Sequence, residues 1–388
     1  MRKPINGAFP AQAIKEVWPT GPASVLKVGR IVLRQGLSTS EKGPHFRPRQ
    51  EGIGAMGETK RSLLARSATF LAFLRQQRRN SAARRSALGG PDPSATILLD
   101  GSEQRWTPSG YSFVMGEHFQ VIATGHQWLS KPLGLVVEPR STVYMRIGDG
   151  PVRKLISHDA VYAAWSTGEL SFLTKGLSEF ADTSGGLLPG KRPRQAPGVG
   201  LRVIPSNEKA TATGQPAGWE YLWRIGDGRI YMGDPDDITV STEGDVGILQ
   251  REVGIALTDQ TELSWEWLVE QLPSSLPEDL AFTHDYLSIA VEFDNGRDLT
   301  YMWSAGLPEG HVFRCPLGWW CERETHWTLR SGSQGLGHWH RERRRVAEDY
   351  AAALGGAMPK RIVRVWLIAN SVFQRSAGRA RFRQIRLR

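Results

Sequence analysis

From about Ala95 onward the chain is broken into short β-type runs separated by Gly, Pro and Asp. Phe119-Gln-Val-Ile-Ala, Leu135-Val-Val-Glu, Thr142-Val-Tyr-Met-Arg-Ile, Tyr286-Leu-Ser-Ile-Ala-Val-Glu-Phe and Arg361-Ile-Val-Arg-Val-Trp-Leu-Ile are examples. Few long helical patterns lie between them, so the spacing predicts a mostly β protein of sandwich or jelly-roll type. One helix is expected from Arg341 to Leu354, where Val346, Tyr350 and Leu354 recur four residues apart and Gly355-Gly356 follows. The string Arg146-Ile-Gly-Asp-Gly150 returns as Arg224-Ile-Gly-Asp-Gly228, each time after a strand-like run. Asp-Gly is a hairpin signal, so two β modules with similar turns are expected. A single Asp in each copy is too few ligands for calcium.

The length of 388 residues accommodates two ordinary domains, and 40% hydrophobic residues can supply their cores. The net charge of +10 is unevenly spread. Residues 1–90 hold 17 Lys/Arg against four Asp/Glu, whereas the remainder holds 32 against 35. The basic character thus belongs to an N-terminal arm, which argues against nucleic acid as the partner of the folded body. Residues 1–58 read as a weakly ordered basic extension and 59–94 as an amphipathic helix with linker. Residues 95–214 read as one β-sandwich-like module and 215–388 as a second. Leu63, Leu64, Phe70, Leu71 and Leu74 mark the helix, which would dock on the body or on a second subunit in a homo-oligomer. No apolar run is long enough to span a membrane, and two cysteines do not make a disulfide framework, so a cytoplasmic location is expected.

The chemistry-bearing residues concentrate near the C-terminus. Between Trp303 and His340 lie five of the 14 tryptophans, four of the nine histidines and both cysteines. Such density reads as an aromatic core or as the lining of a pocket for a flat, apolar ligand. Cys315, Cys321, His326, His338 and His340 fit structural-zinc spacing poorly, which makes the cysteines bystanders. His284-Asp285, ahead of a strand, offers a general base oriented by a carboxylate or an iron ligand; the plainer alternative is an exposed turn pair. On the strand itself Tyr286, Ser288, Ala290 and Glu292 share one face, and Leu287, Ile289, Val291 and Phe293 share the core face. Glu266 with Glu292 or Asp285 is a candidate carboxylate pair. The arginines alternating along residues 379–383 mark a charged edge or face.

From Asp237 to Leu387 the order of features resembles a bacterial family of domains of unknown function, number 3047. The resemblance is carried by Leu249-Gln-Arg-Glu-Val-Gly-Ile, Leu263-Ser-Trp-Glu-Trp267, His284-Asp285, Leu299-Thr-Tyr-Met-Trp303, Leu336-Gly-His-Trp339, Arg345-Val-Ala-Glu-Asp-Tyr350 and Gln384-Ile-Arg-Leu. It implies a β-sandwich with one helix. The chain departs from the family pattern with Ala369-Asn-Ser-Val-Phe373 in place of an acidic stretch, and with His284-Asp285 in place of two aspartates. The chain is also similar to alkenylbenzene oxygenases of the trans-anethole oxygenase type, which implies an aromatic substrate.

These readings together lead to the expectation of an oxygenase acting on a small hydrophobic aromatic molecule. His284, Asp285 and His338 are its expected catalytic residues. Tyr301, Trp303, Trp319, Trp320, Trp327 and Trp339 would line the pocket. One of His284, His326, His338 and His340 would ligate haem or non-haem iron. The alternatives are a non-catalytic carbohydrate-binding β-sandwich protein and a cofactor-free lyase or isomerase.

Overall fold

In the computed structural model the described residues are 61–99, 105–130, 135–174 and 198–388, so the extension expected over 1–58 lies outside them. The protein is mostly β. The first strands are Ile97–Leu99 (β1), Thr107–Phe113 (β2), His118–Gly125 (β3), Gln127–Ser130 (β4) and Leu135–Val137 (β5). They are followed by Val143–Ile147 (β6), Arg153–Lys154 (β7), Asp159–Ala163 (β8), Gly168–Thr174 (β9) and Val199–Ser206 (β10). Two four-stranded sheets, ordered β1-β10-β3-β8 and β2-β9-β6-β7, sandwich a core that includes Phe119, Met145, Leu170, Phe172 and Leu201.

A second sandwich follows. It begins with Glu220–Ile225 (β11), Tyr231–Asp234 (β12), Asp237–Glu243 (β13), Val246–Ala256 (β14), Glu262–Gln271 (β15) and Tyr286–Phe293 (β16). It is completed by Asp298–Ser304 (β17), Val312–Arg314 (β18), Glu324–Ser331 (β19), Trp339–Arg345 (β20), Arg361–Asn370 (β21) and Ala377–Leu387 (β22). A seven-stranded sheet, β11-β14-β21-β16-β17-β19-β18, faces a five-stranded sheet, β12-β13-β22-β15-β20. Between them pack Trp265, Trp267, Tyr301, Trp303, Phe293 and Phe382, with Leu287, Ile289 and Val291 from β16. Burying each such side chain contributes about 1.5–3 kcal/mol.

One connection decides what happens on the far side of the large sheet. β17 and β19 pair in parallel, and a parallel pair needs a long crossover. Here the crossover spans residues 305–323, includes β18 and a 3-10 turn at Gly318–Glu322, and lies over the sheet's outer face. Leu307, Phe313, Cys315 and Trp320 from this strap pack on Tyr286, Ala290, Met302, Trp366 and Ile368. Strand β16 is therefore buried on both faces.

The helices differ in extent from the sequence expectation. Residues 339–345 form β20, not a helix: Arg341, Arg343 and Arg345 alternate outward, and a two-residue period pairs that segment with β15. The helix Val346–Ala353 begins only where Val346 and Tyr350 turn into the core. At the N-terminal side the helix α1 (Leu63–Leu88) extends well past Leu74 and absorbs much of the expected linker. The Ser62 side chain caps it by accepting from the Ala65 amide, and Gly89 ends it at φ 62°. Phe70 and Phe73 pack on Phe282, with ring centroids 4.9 and 5.2 Å away, and Arg61 pairs with Asp279. Its apolar face is thus used within the chain, while Leu64 and Leu71 point outward. No described helix is long and apolar enough to cross a membrane.

Both copies of the five-residue repeat end a strand, with Gly148 and Gly226 at positive φ. Asp149 is exposed, whereas Asp227 lies 3.1 Å from Arg140, which also meets Glu138 and Asp245. This buried charge cluster ties the two sandwiches together.

Candidate functional site

The aromatic window does not form one pocket wall. Tyr301, Trp303 and Trp327 point into the core between the two sheets, where Trp303 meets Trp267 at 5.6 Å and Tyr301 meets Trp265 at 5.7 Å. Packed against one another, they present no surface to a substrate. Trp320 belongs to the strap and packs on the outer face of the large sheet, 6.4 Å from Trp366. Trp339 is on the opposite sheet and faces outward, and the Trp319 side chain is outside the described set. The split follows from the elements that carry them: Tyr301 and Trp303 share the inner face of β17, Trp320 sits in the 3-10 turn of the strap, and Trp339 is on β20 of the other sheet.

The histidines separate in the same way. His338 is exposed, with Nδ1 3.1 Å from the Leu336 carbonyl. His340 packs on Trp303 and reaches the Gly335 carbonyl. Neither approaches His284. Nor does Asp285 orient His284: the backbone turns at His284 (φ −79°, ψ 55°), and the two side chains take different partners, the Glu278 carbonyl for His284 and the 373–374 amides for Asp285. The Asp285 carboxylate accepts from the Phe373 and Gln374 amides at 3.0 and 2.5 Å. Burial pushes its pKa up to about 8 against the pull of those amides. Both residues are fully buried, which rules out an exposed turn pair. The expected catalytic trio is therefore not assembled. The carboxylate pairs are not formed either, since Glu266 sits on the five-stranded sheet and Glu292 on the seven-stranded sheet.

What the fold does assemble is a buried quartet on the outer face of the large sheet. His284 enters from the turn before β16, Cys315 from the strap, and Glu324 and His326 from alternate positions of β19. Their potential ligand atoms all lie within 4.8 Å of one another, and this cluster can hold a metal ion. The Cys315 amide donates to the Glu324 carbonyl, which extends the β18–β19 pairing and sets the thiol opposite the carboxylate. His284 Nδ1 donates to the Glu278 carbonyl at 2.7 Å, so Nε2 carries the lone pair; Cys315 Sγ is 3.4 Å from it. His326 stacks on Phe313 at 4.9 Å. Its Nε2 is 3.4 Å from Glu324 Oε1 without hydrogen-bond geometry, and neither ring nitrogen has a hydrogen-bond partner among the described residues. Tyr286 donates to Glu324 Oε1 at 3.0 Å, and Thr300 lies 3.4 Å from the same oxygen.

The electrostatics follow from burial. Desolvation, helped by His326, drives the His284 pKa down to about 3. Desolvation and the Glu324 charge push the Cys315 thiol up. Burial would raise Glu324 as well, but His326 and His284 hold it low. Cys315 and Glu324 were missed as site residues because the spacing rule counts positions along the chain. The usable signal was the β18–β19 hairpin, which brings Cys315 across from Glu324 and places His326 two residues on.

A second feature is the outer face of the five-stranded sheet. Arg341 and Arg383 both clamp Glu266, with Arg383 Nε at 2.7 Å, and their hydrogen bonds hold its carboxyl below the usual range. The Arg383 guanidinium stacks 3.8 Å from the half-buried Trp339 ring, and Arg381 lies 5.4 Å from that ring. A bulge at Gln384, φ 53°, puts both Arg383 and Arg386 outward although they are three residues apart. β22 is an interior strand of the sheet, so its arginines mark a face. Among the described residues Arg343, Arg379 and Arg386 on this face form no ion pair.

No curated protein sequence matches the chain. Three solved structures illustrate the similarity found. The xyloglucanase domain of NopAA, a type three effector from Sinorhizobium fredii solved with cellobiose, is 8% identical; the alignment covers 46% of this chain and 95% of that one, with a TM-score of 0.31. The native family 12 xyloglucanase from Bacillus licheniformis is 12% identical, covering 45% and 88%, with a TM-score of 0.26. The N-terminal CBM22-1–CBM22-2 tandem domain from Paenibacillus barcinonensis is 10% identical, covering 77% and 99%, with a TM-score of 0.21. The comparisons lend nothing to the expected likeness to alkenylbenzene oxygenases. Residues 232–386 match the family described as "Protein of unknown function (DUF3047)", in agreement with the resemblance carried by the same stretch of sequence.

Proposed function

We propose that the protein is a non-catalytic carbohydrate-binding β-sandwich protein, organised as a 95–214 module and a 215–388 module, and that the outer face of the five-stranded sheet takes up an extended acidic glycan. The observation that carries this reading is the arrangement of Trp339 beside Arg381 and Arg383, next to Glu266 clamped by Arg341 and Arg383. Sugars are recognised by aromatic surfaces that meet their C–H faces and by planar charged groups that hydrogen-bond adjacent hydroxyls. Here the groups are held in place by one another, so little side-chain entropy is lost on binding. The guanidinium groups of Arg343, Arg379 and Arg386, which form no ion pair among the described residues, favour uronate-type carboxylates. The residues are spread along the face of neighbouring strands β15, β20 and β22, which suits a chain and not a small enclosed substrate.

Calorimetric titration of the full chain with polygalacturonate and with a neutral glucan tests the reading. Binding of the acidic polymer that weakens with salt and is lost in Trp339→Ala is expected. Equal, absent or Trp339-independent binding would overturn it.

A further inference from the structure

We propose that His284, Cys315, Glu324 and His326 bind one zinc-class divalent ion as a closed structural site, which cross-links the strap and the entrance of β16 to the outer face of the seven-stranded sheet. The site lies on the opposite sheet from the glycan-binding face, so neither reading depends on the other.

Four observations support it. The four residues supply two imidazole nitrogens, a thiol sulfur and a carboxylate oxygen, a mixed set that suits zinc and disfavours hard cations such as magnesium or calcium. All four are buried, and four protein ligands leave no open coordination position, which is the pattern of structural rather than catalytic zinc. His284 is oriented as a ligand should be: its Nδ1–H is held by the Glu278 carbonyl, leaving Nε2 aimed at Cys315. Glu324 is held in turn by the Tyr286 hydroxyl. The His326 ring completes the case. It is wholly buried, yet neither nitrogen has a hydrogen-bond partner among the described residues, and unpartnered polar atoms are uncommon in an interior. A bound ion would supply a partner to Nε2, the nitrogen that faces Glu324.

The ion also has something to hold. The strap is a crossover whose regular structure is the short strand β18, at the sheet edge, and one 3-10 turn. Through Cys315 an ion would fasten this segment to Glu324 and His326 on β19 and to the turn bearing His284. On uptake the thiol proton of Cys315 leaves to solvent, and the thiolate, the carboxylate and two neutral imidazoles bind the cation. No oxidation or reduction occurs.

The test is metal analysis of the purified full chain, followed by replacement with cobalt(II). About one zinc per chain is expected, and the cobalt form should show a thiolate charge-transfer band with the visible bands of tetrahedral cobalt. Cys315→Ser should lose the charge-transfer band and Cys321→Ser should keep it. Tyr286→Phe, which leaves all four ligands in place, should weaken zinc in competition with a chelator by about 10–100-fold. Folded wild-type protein that takes up neither zinc nor cobalt would overturn the proposal, as would stoichiometric iron in place of zinc. A charge-transfer band that survives Cys315→Ser would also overturn it. Should Cys315→Ser fail to fold, the wild-type cobalt spectrum and the Tyr286→Phe competition still decide.

Discussion

His284 and His326 meet edge to face with ring centroids 4.7 Å apart and planes at 88°, although β17 lies between the strands that bring them in. The contact exists because the turn before β16 folds back over the sheet, where Tyr286 also reaches across to Glu324. The strap closes over the same ground and brings Cys315.

That enclosure makes the two cysteines chemically unequal. Cys315 is 1% exposed, and its thiol is pushed up by burial and then by Glu324, whereas Cys321 is partly exposed in the 3-10 turn. A thiol-alkylating reagent should label Cys321 in the native protein at least about tenfold faster than Cys315, and label both alike after unfolding. Mass spectrometry of timed samples reads the difference. Equal native rates would mean that the strap does not stay closed.

On the other side of the sheet the Tyr301 hydroxyl donates to Asp349 Oδ2 at 2.7 Å, and Arg344 holds the same carboxylate. This is a buried hydrogen bond to a charged acceptor that anchors the helix of residues 346–353 to the core. Tyr301→Phe should cost about 1.5–3 kcal/mol in denaturant unfolding, since the cavity created is minimal and the loss is that of the bond. A change under about 0.5 kcal/mol would show that the carboxylate finds full compensation in Arg344.

Helix α1 offers a third check. Its attachment runs through Phe70 and Phe73 on Phe282, Arg61 on Asp279, and Gln77 on the Phe373 carbonyl. Each aromatic pair contributes about 0.5–1.5 kcal/mol beyond the area it buries. Phe282→Ala should therefore loosen the helix without unfolding the sandwich. Limited proteolysis is expected to cut within residues 63–88 several-fold faster while the sheet signal in circular dichroism is kept; an unchanged cleavage pattern would contradict the packing.

The strands were the legible part of this chain, for a local reason. Along Tyr286–Phe293 the two-residue alternation is written in the sequence, and the fold uses both faces as that alternation divides them. The segment after Trp339 misled because a dense run of charges carries no apolar period, so only its pairing with β15 decides for a strand. The site was half legible. His284 and His326 stand out by residue type, but which histidines meet depends on the strand order β16-β17-β19, and no spacing along the chain encodes that. Cys315 was discounted for the same reason: its partners lie across a hairpin and across a crossover. Tyr301, Trp303 and Trp327 misled in the opposite direction, because core and pocket linings draw on the same residue types.

The arginine pair on Glu266 gives a prediction with a definite sign. Hydrogen bonds from Arg341 and Arg383, more than any other cause, lower the Glu266 pKa in the folded protein below its ordinary 4.5. A carboxylate with a depressed folded pKa stabilises the fold above its unfolded pKa, and the contribution fades as pH falls through the folded value. Glu266→Gln should accordingly lower the denaturant midpoint at pH 6 to 7, where the wild-type carboxylate is charged and paired. The gap between the two proteins should narrow as the pH falls below about 4.5. Because Arg341 and Arg383 are both partly solvated, the effect at neutral pH should stay near the surface ion-pair range of about 1 kcal/mol. The same variant frees Arg383 beside Trp339, so its affinity for an acidic polymer should rise or hold, while affinity for a neutral one should fall. A gap between wild type and variant that is constant from pH 7 to 3 would show that the ion pairs on this face do not contribute to stability.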